Sequence, residues 1–139
     1  MAALAIKDDE RLYLSPIELE RGGISYSVDT LEHLSALFPS AAFDWIVGED
    51  NVAQLLDWKD PQRLFELARF VVLTRSGASR DAIRHLPPDR VVYAENKSVP
   101  VSSTDIRNRV RAGESIDAFV DPLVSRYIHH YGLYKEDHS

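Results

Sequence analysis

The fold is decided by two short apolar runs, Phe43-Asp44-Trp45-Ile46-Val47 and Phe70-Val71-Val72-Leu73-Thr74. Both are rich in β-branched or aromatic residues and mostly apolar at consecutive positions, which is typical of strands in a sheet covered on both faces. Residues 91–94 predict a third strand, and residues 11–15 are a weaker candidate near the start. The sequence therefore predicts a sheet built around the two central runs.

Helical patterns lie between and after these strands. They cover residues 28–37, 51–58, 62–68, 79–86, 103–112 and 121–131. Alternation of strand and helix along a chain favours a parallel sheet joined by crossover helices. We therefore predict a single α/β domain over residues 1–139, with ligands bound beyond the carboxyl ends of the strands.

Composition narrows the classes of function. Of the 139 residues, 45% are hydrophobic and 27% charged, as in an ordinary globular domain with a real core. A net charge of −6 argues against non-specific binding to nucleic acid or to an anionic membrane surface. The chain has no cysteine, which favours a reducing compartment such as the cytoplasm. No apolar run approaches the roughly 20 residues of a membrane span, and the histidines show no metal-ligand spacing.

A hydroxyl-rich turn leads directly into one predicted helix, in the run Ser102-Ser103-Thr104-Asp105-Ile106-Arg107. Hydroxyls at this position commonly cap a helix, and capping alone would explain the three of them. Arginine in a first helical turn is electrostatically unfavourable unless an anion meets it. Because helix N-termini suit phosphate groups, we interpret this turn as a phosphate site in which Arg107 takes part.

Polar residues also follow the ends of the two central strands. Gly48 and Asp50 follow the first strand, and Arg75 follows the second. A glycine with a nearby carboxylate suits a ribose, although the same pair is typical of a turn that caps the next helix. We expect these segments and the Ser102–Arg107 turn to converge on one edge of the sheet.

Two further segments carry candidate binding residues. The first contains Gly22-Gly23-Ile24-Ser25-Tyr26-Ser27, where Ser27 is alternatively the N-cap of the following helix and Tyr26 a core residue. The second is Trp58-Lys59. Trp58 is either a half-buried packing residue or a surface on which a flat aromatic ligand stacks.

Taken in order, these motifs resemble bacterial nicotinate-nucleotide adenylyltransferase, a member of the nucleotidyltransferase superfamily. The resemblance covers about residues 1–134. The Ser-Arg motif is shared across the superfamily, and the Ser-Tyr-Ser-x-Asp-Thr-Leu and Gly-x-Asp-Asn…Trp-Lys segments make the resemblance specific to this enzyme. The motifs are residues 22–31, Ile46-Val47-Gly48-Glu49-Asp50-Asn51, Trp58-Lys59, residues 72–77, Val101-Ser102-Ser103-Thr104-Asp105-Ile106-Arg107 and residues 127–134.

The resemblance implies a Rossmann-like fold and the transfer of AMP from ATP to nicotinate mononucleotide with Mg²⁺. It assigns the ATP phosphates to Ser102, Ser103, Thr104 and Arg107, with Ser102 and Arg107 in catalysis. It assigns the nucleotide sugar to Gly48 and Asp50, and the adenine end to Arg75. The nicotinate carboxylate would meet Ser27, with Tyr26, and the backbone of Lys59, while Trp58 would stack on the pyridine ring. Ser25 would be a further substrate-binding residue.

The sequence departs from this family at its start. The family opens with a first strand and a Gly-x-Phe-x-Pro-x-His-x-Gly-His phosphate loop, and no segment here matches them. We interpret this either as a truncated start or as a short protein that lacks the loop. The chain alone is then expected to be marginally stable, aggregation-prone or a homo-oligomer. The alternatives to an enzyme are a non-catalytic nucleotide-binding remnant and a regulatory or interaction domain.

Overall fold

The computed structural model describes residues 1–74, 86–95 and 101–135. The chain divides into two compact units, one formed by Met1–Ser15 with Val99–Ser139 and the other by Pro16–Ser98. The single domain predicted for residues 1–139 stays a prediction. The predicted helix at residues 79–86 falls, except for Leu86, outside the described residues, and so does Arg75.

The described strands form a parallel sheet in the unit Pro16–Ser98. They are β1 (Phe43–Gly48), β2 (Ala68–Thr74) and β3 (Val91–Glu95), in the order β1-β2-β3. Trp45 lies opposite Phe70, and Phe70 lies opposite Val91 in the two registers. The predicted α/β class, the three strands and their parallel pairing are therefore confirmed.

Among the described residues, three helices precede β1, two lie between β1 and β2, and two follow β3. They are α1 (Ala2–Ala5), α2 (Ile17–Arg21), α3 (Ser27–Leu37), α4 (Glu49–Val52), α5 (Pro61–Leu67), α6 (Ser103–Arg111) and α7 (Pro122–His130), with a 3₁₀ turn at Leu55–Asp57. The Asp60 carboxylate caps α5, where it accepts the Arg63 N–H at 3.2 Å, and Pro61 takes the first helical position. The predicted helices at residues 28–37, 62–68, 103–112 and 121–131 are confirmed to within one or two residues.

The continuous helix predicted for residues 51–58 is wrong. α4 ends at Val52, and the chain continues in i→i−3 hydrogen bonds from Gln54 to Asn51 and from Asp57 to Gln54. In such a tight turn, residues three apart lie on one side. Val52 and Leu55 are fully buried, and Trp58 packs against the same core. The three-residue spacing of these apolar side chains therefore favours the 3₁₀ turn over an α-helix.

The weak strand predicted at residues 11–15 is also wrong. The Asp9 carboxylate accepts the backbone N–H of Arg11 at 3.0 Å and pairs with its guanidinium at 2.6 Å, which fixes a turn there. Tyr13 is 84% exposed, and no described strand pairs with this segment. Apolar content alone does not form a strand without a partner to complete its hydrogen bonds.

The core of the unit Pro16–Ser98 lies on one side of the sheet. Leu31 of α3, Leu64 of α5 and Phe70 of β2 are at most 1% exposed and belong to one cluster. Side chains alternate between the faces of a strand, and in β1 Val47 is buried while Ile46 is 64% exposed. The prediction that the sheet is covered on both faces is therefore wrong for β1.

The unit Met1–Ser15 with Val99–Ser139 has its own small core. Val110, Ile116 and Ile128 form it, between α6 and α7. Asp121 caps α7 by accepting the Leu123 N–H at 2.7 Å. None of the helices in the described ranges combines the length and the apolar character needed to cross a membrane.

Candidate functional site

A cavity of about 300 Å³ opens in the unit Pro16–Ser98, at the start of α3. Residues 25–27 line one side, residues 57–59 line the other, and Leu64 completes it. Its volume is at the lower end of those typical for small-molecule sites. The structure thus brings together Ser25, Tyr26, Ser27, Trp58 and Lys59, the five residues predicted to meet the substrate. Their role in binding stays a prediction.

The start of α3 is built by the backbone. Tyr26 is the N-cap, with an extended conformation at φ −105° and ψ 137°, and no side chain caps the helix. The alternative that Ser27 is the N-cap is therefore wrong, as is a core position for Tyr26, which is 39% exposed. Within the described ranges the hydroxyls of Ser25 and Ser27 have no hydrogen-bond partner, so both are available to a ligand.

The opposite side of the cavity is fixed by a charged side chain. Lys59 Nζ lies 2.8 Å from Asp29 Oδ1 and 3.0 Å from Oδ2. The same ammonium lies 4.7 Å from the centre of the Tyr26 ring, a distance suited to a cation–π contact. Trp58 is half-buried against the core and also lines the cavity, so packing and ligand contact are compatible there.

Gly48 and Asp50 meet at the carboxyl end of β1. Gly48 is the N-cap residue of α4, and no side chain caps this helix. A Cβ placed on Gly48 would lie only 2.5 Å from Asp50 Oδ1. The absence of a side chain at Gly48 thus lets the carboxylate fold back over the strand end. The capping alternative is correct for Gly48, while contact with a ribose stays a prediction.

The start of α6 is a capping box. Ser102 Oγ accepts the Asp105 N–H at 3.1 Å, and Asp105 Oδ2 accepts the Ser102 N–H at 2.9 Å. The side-chain hydrogen bond from Ser102, followed by the backbone one, lowers the pKa of Asp105 below its usual range. The hydroxyl and amide of Ser102 are therefore both used inside the helix. The first-turn amides of Ser103 and Thr104 have no partner among the described residues and are available to an anion.

Arg107 lies one turn further along α6. Its Nη2 donates to Thr104 Oγ1 at 3.1 Å, and no described carboxylate lies within ion-pair distance of it. On the same helix, Arg109 is instead paired with Glu114 at 3.0 Å. Arg107 thus keeps its charge available close to the free amides of the helix start.

The remaining predicted site residues are divided between the two compact units and the part of the chain outside the described residues. Arg75 lies outside the described residues. Ser102, Ser103, Thr104 and Arg107 belong to one compact unit, and Gly48 and Asp50 belong to the other. Convergence of these segments on one edge of the sheet therefore stays a prediction.

Two residues beside the cavity were not assigned a role from the sequence. Asp29 binds Lys59, and Thr30, only 5% exposed, donates to Glu18 Oε1 at 2.7 Å and accepts from Arg21 Nη2 at 3.1 Å. The sequence feature that could have identified them is their position in the first turn of α3, directly after the Ser25-Tyr26-Ser27 run. Their partners lie 9 to 30 residues away, so spacing could not identify the contacts.

The described side chains do not form a metal centre. No group of three or more His, Cys, Asp or Glu residues in residues 1–74, 86–95 and 101–135 is arranged to hold a metal ion. A Mg²⁺ ion commonly binds through substrate phosphates and one or two carboxylates rather than in a protein cage. These residues therefore do not fit a site that holds Mg²⁺ without a nucleotide.

A family model and several named relatives match most of this chain. The family described as cytidylyltransferase-like matches residues 1–109. A Streptomyces coelicolor protein named "Probable nicotinate-nucleotide adenylyltransferase" is 40% identical, over 97% of this chain and 71% of its own length. Proteins of the same name from Nocardioides and Gemmatimonas aurantiaca are 38% and 42% identical, over 96% and 88% of this chain. The chain spans 66% and 61% of the lengths of these two relatives.

Solved structures show the same fold. The nicotinic acid mononucleotide adenylyltransferase of Plasmodium falciparum, complexed with NaAD, superimposes with a TM-score of 0.76 at 18% identity. The match covers 96% of this chain and 71% of the Plasmodium chain. The complex of the same enzyme with APC gives a TM-score of 0.75. The Rossmann-like fold predicted from the sequence is therefore confirmed.

Proposed function

This chain belongs to the cytidylyltransferase-like family and to its nicotinate-nucleotide adenylyltransferase members, and from this we propose the reaction that it serves. The protein transfers AMP from ATP to nicotinate mononucleotide, giving nicotinate adenine dinucleotide and pyrophosphate in NAD biosynthesis. The cavity between residues 25–27 and 57–59 is the observation that carries this proposal. The absence of cysteine supports the cytoplasm as its compartment.

The cavity suits a flat aromatic acid. Trp58 supplies an aromatic ring on one side, and Ser25 and Ser27 supply hydroxyls on the other. The backbone N–H of Lys59 has no partner within the described ranges and is a further donor. A carboxylate offers two acceptor oxygens, where the amide offers one oxygen and an NH₂ donor. The Lys59 N–H can only donate and therefore favours nicotinate, whereas the Ser25 and Ser27 hydroxyls can bond to either group.

The start of α6 suits the triphosphate. The amides of Ser103 and Thr104 and the Arg107 guanidinium, one turn further along, supply positive charge near the start of one helix. Ser102 supports this arrangement through its capping box with Asp105 rather than through a free hydroxyl. Gly48 and Asp50 would bind the nucleotide sugar. Arg75 would lie near the adenine, and this assignment rests on the family resemblance alone.

The reaction is an in-line displacement at the α-phosphorus of ATP. An oxygen of the nicotinate mononucleotide phosphate forms a bond to this phosphorus while the bond to pyrophosphate breaks. Catalysis of this kind depends mainly on positioning and on neutralising charge. Arg107 and the free amides of α6 would stabilise the charge that develops on the departing pyrophosphate. Mg²⁺, which accompanies the triphosphate in this proposal, would screen the phosphate charges.

Pyrophosphate release tests this function. The assay compares nicotinate mononucleotide with nicotinamide mononucleotide as acceptor, each with ATP and Mg²⁺, and we expect release with the acid to exceed release with the amide. ATP binding without turnover would instead indicate a non-catalytic nucleotide-binding module. Failure to bind either nucleotide would indicate an interaction domain. Sizing under the same conditions tests whether the active species is a homo-oligomer.

A further inference from the structure

We propose that Asp29 is a positioning residue that fixes the Trp58–Lys59 side of the cavity by holding the Lys59 ammonium. Asp29 does not line the cavity, whereas Lys59 and Trp58 do. Its effect on a ligand is therefore indirect and passes through Lys59. The identity of that ligand as nicotinate mononucleotide rests on the proposed function, but the positioning of Trp58 does not.

The geometry of the pair supports a fixed orientation. Both Asp29 oxygens contact Lys59 Nζ, at 2.8 and 3.0 Å, across 30 residues of sequence. The Tyr26 ring, 4.7 Å from the same ammonium, comes from the residue that caps α3. The Lys59 side chain thus contacts the start of α3 at two places, and it ties one side of the cavity to the other.

The backbone of Trp58 and Lys59 makes few hydrogen bonds among the described residues. Trp58 follows the 3₁₀ turn in an extended conformation, at φ −69° and ψ 159°, and Asp60 is left-handed at φ 46°. The Trp58 N–H donates to Leu55 O at the long distance of 3.4 Å. In the described part of the chain the Lys59 N–H has no partner. Side-chain contacts therefore supply much of what holds Trp58 and Lys59 in place.

Thr30, the residue after Asp29, also holds the start of α3 in place. Thr30 is 5% exposed, and its hydroxyl bonds to Glu18 and Arg21 of α2. α2 directly precedes the segment that carries Ser25. Asp29 and Thr30 thus connect the start of α3 in two directions, Asp29 to the Trp58–Lys59 side and Thr30 to the chain that leads into Ser25.

The ion pair also determines how an acid can be recognised. With its charge balanced by Asp29, the Lys59 ammonium is not the free counter-ion of a ligand carboxylate. Recognition then depends on the hydroxyls of Ser25 and Ser27 and on the Lys59 amide. These donors must be positioned accurately, because small displacements in a binding site are costly.

Fluorescence of Trp58 tests the positioning without any ligand. In a Trp45→Phe background Trp58 is the sole tryptophan of the 139-residue chain. We expect Asp29→Asn and Lys59→Met to increase acrylamide quenching of Trp58 and to lower its anisotropy. The charge-reversed pair Asp29→Lys with Lys59→Asp is expected to restore both values in part. High salt should reproduce the loss, since the pair is partly exposed.

The control is another ion pair of α3. Glu32 pairs with Arg63 of α5 at 3.1 Å across 31 residues, and neither residue lines the cavity. Glu32→Gln therefore removes a comparable tertiary pair from the same helix, and we expect Trp58 quenching to stay at the wild-type value. Equal quenching in Asp29→Asn and Glu32→Gln would overturn the inference.

Titration with nicotinate mononucleotide gives the second readout. An exposed ion pair contributes modestly, so Asp29→Asn should weaken binding of this nucleotide about two- to fivefold and leave ATP binding unchanged. Asp29→Glu, which keeps the charge, should retain most of the affinity. An equal loss of ATP and nicotinate mononucleotide affinity would indicate general destabilisation and would overturn the inference. Absence of wild-type binding, with Trp58 still dependent on Asp29, would refute the proposed function and support the positioning.

Discussion

Ligand donors are held in place by different kinds of contact in the cavity of the unit Pro16–Ser98 and at the start of α6. The cavity joins residues 25–27 to residues 57–59, and an ion pair spanning 30 residues holds the two sides. The start of α6 is complete within one helical turn, since Ser102 and Asp105 bond to each other. The first site depends on tertiary structure, and the second depends on local sequence.

This difference has consequences for mutations. A site held by distant contacts loses geometry when any one of those contacts is removed, while neighbouring helices remain intact. A site held by one capped turn keeps its geometry unless the helix itself is disturbed. Substitutions can therefore separate the binding role of a residue from its structural role in each region.

The largest effect is expected at the locally built site. Arg107→Ala removes a guanidinium whose hydrogen bond in the described part of the chain is to Thr104 Oγ1, so the helix should persist. Loss of one donor in a comparable oxyanion site lowers kcat by about 10²–10³-fold, and we expect a similar fall in pyrophosphate release. Arg111→Ala is the control, because Arg111 bonds to Asn108 at 2.9 Å near the other end of α6. Equal activity of the two variants would contradict the phosphate role of Arg107.

The next effect is expected in the cavity. Trp58→Leu should weaken binding of nicotinate mononucleotide about tenfold, because stacking of a base on an aromatic side chain contributes about 1–3 kcal/mol. Trp58→Phe keeps a ring and should recover most of this affinity. Calorimetric titration of both variants measures the difference. If the leucine variant binds as tightly as the wild type, Trp58 is a packing residue and the cavity has another ligand.

The comparison also explains which features the sequence predicted. A hydroxyl that caps a helix lies next to it in sequence, and the runs at β1 and β2 are contiguous, so both were recognisable without a structure. Residues 11–15 also contain three apolar or aromatic residues, but a strand needs a partner that no local pattern reveals. The 3₁₀ turn at Leu55–Asp57 arises because Val52, Leu55 and Trp58 share one core, which is also a tertiary property.

The candidate site also combines residues that the sequence identified with a contact that depends on tertiary structure. The five cavity residues were selected by resemblance to a family, and the structure places them around one cavity. Asp29 was part of the quoted motif but had no assigned role, because its partner Lys59 is far away in sequence. The pairing depends on the tertiary packing that brings Lys59, which follows the 3₁₀ turn, next to α3.

Gly48→Ala tests whether Asp50 acts through its position over the strand end. The backbone of Gly48, at φ −73°, accepts alanine without strain, but the new methyl would meet Asp50 Oδ1 at 2.5 Å. We expect the carboxylate to move away and ATP affinity to fall about two- to fivefold, the loss of a single hydrogen bond. In an Asp50→Ala background the same change should add little further loss. Additive losses would show that Gly48 acts independently of Asp50.

Ser102→Ala should affect stability more than binding. It removes the hydroxyl that accepts the Asp105 N–H, and loss of such a cap costs about 1 kcal/mol, or a few degrees in Tm. Thermal unfolding measures this change, and Ser103→Ala is the control because Ser103 is not the N-cap. A fall in pyrophosphate release as large as that of Arg107→Ala, at unchanged Tm, would instead assign Ser102 a direct role in catalysis.

The smallest effect is expected when the pH is lowered, at the ion pair between Asp44 and Arg69 on the exposed face of the sheet. Arg69 of β2 binds both Asp44 oxygens, at 2.7 and 2.8 Å, and these hydrogen bonds hold the pKa of Asp44 below its usual range. A lowered carboxyl pKa stabilises the folded state above the unfolded pKa of about 3.9, and this contribution is lost as the pH falls through the folded value. The difference in Tm between wild type and Asp44→Asn should therefore be small at pH 7 and should disappear on acidification below pH 4. A difference that stays constant down to pH 2 would mean that Asp44 contributes through packing and not through its charge.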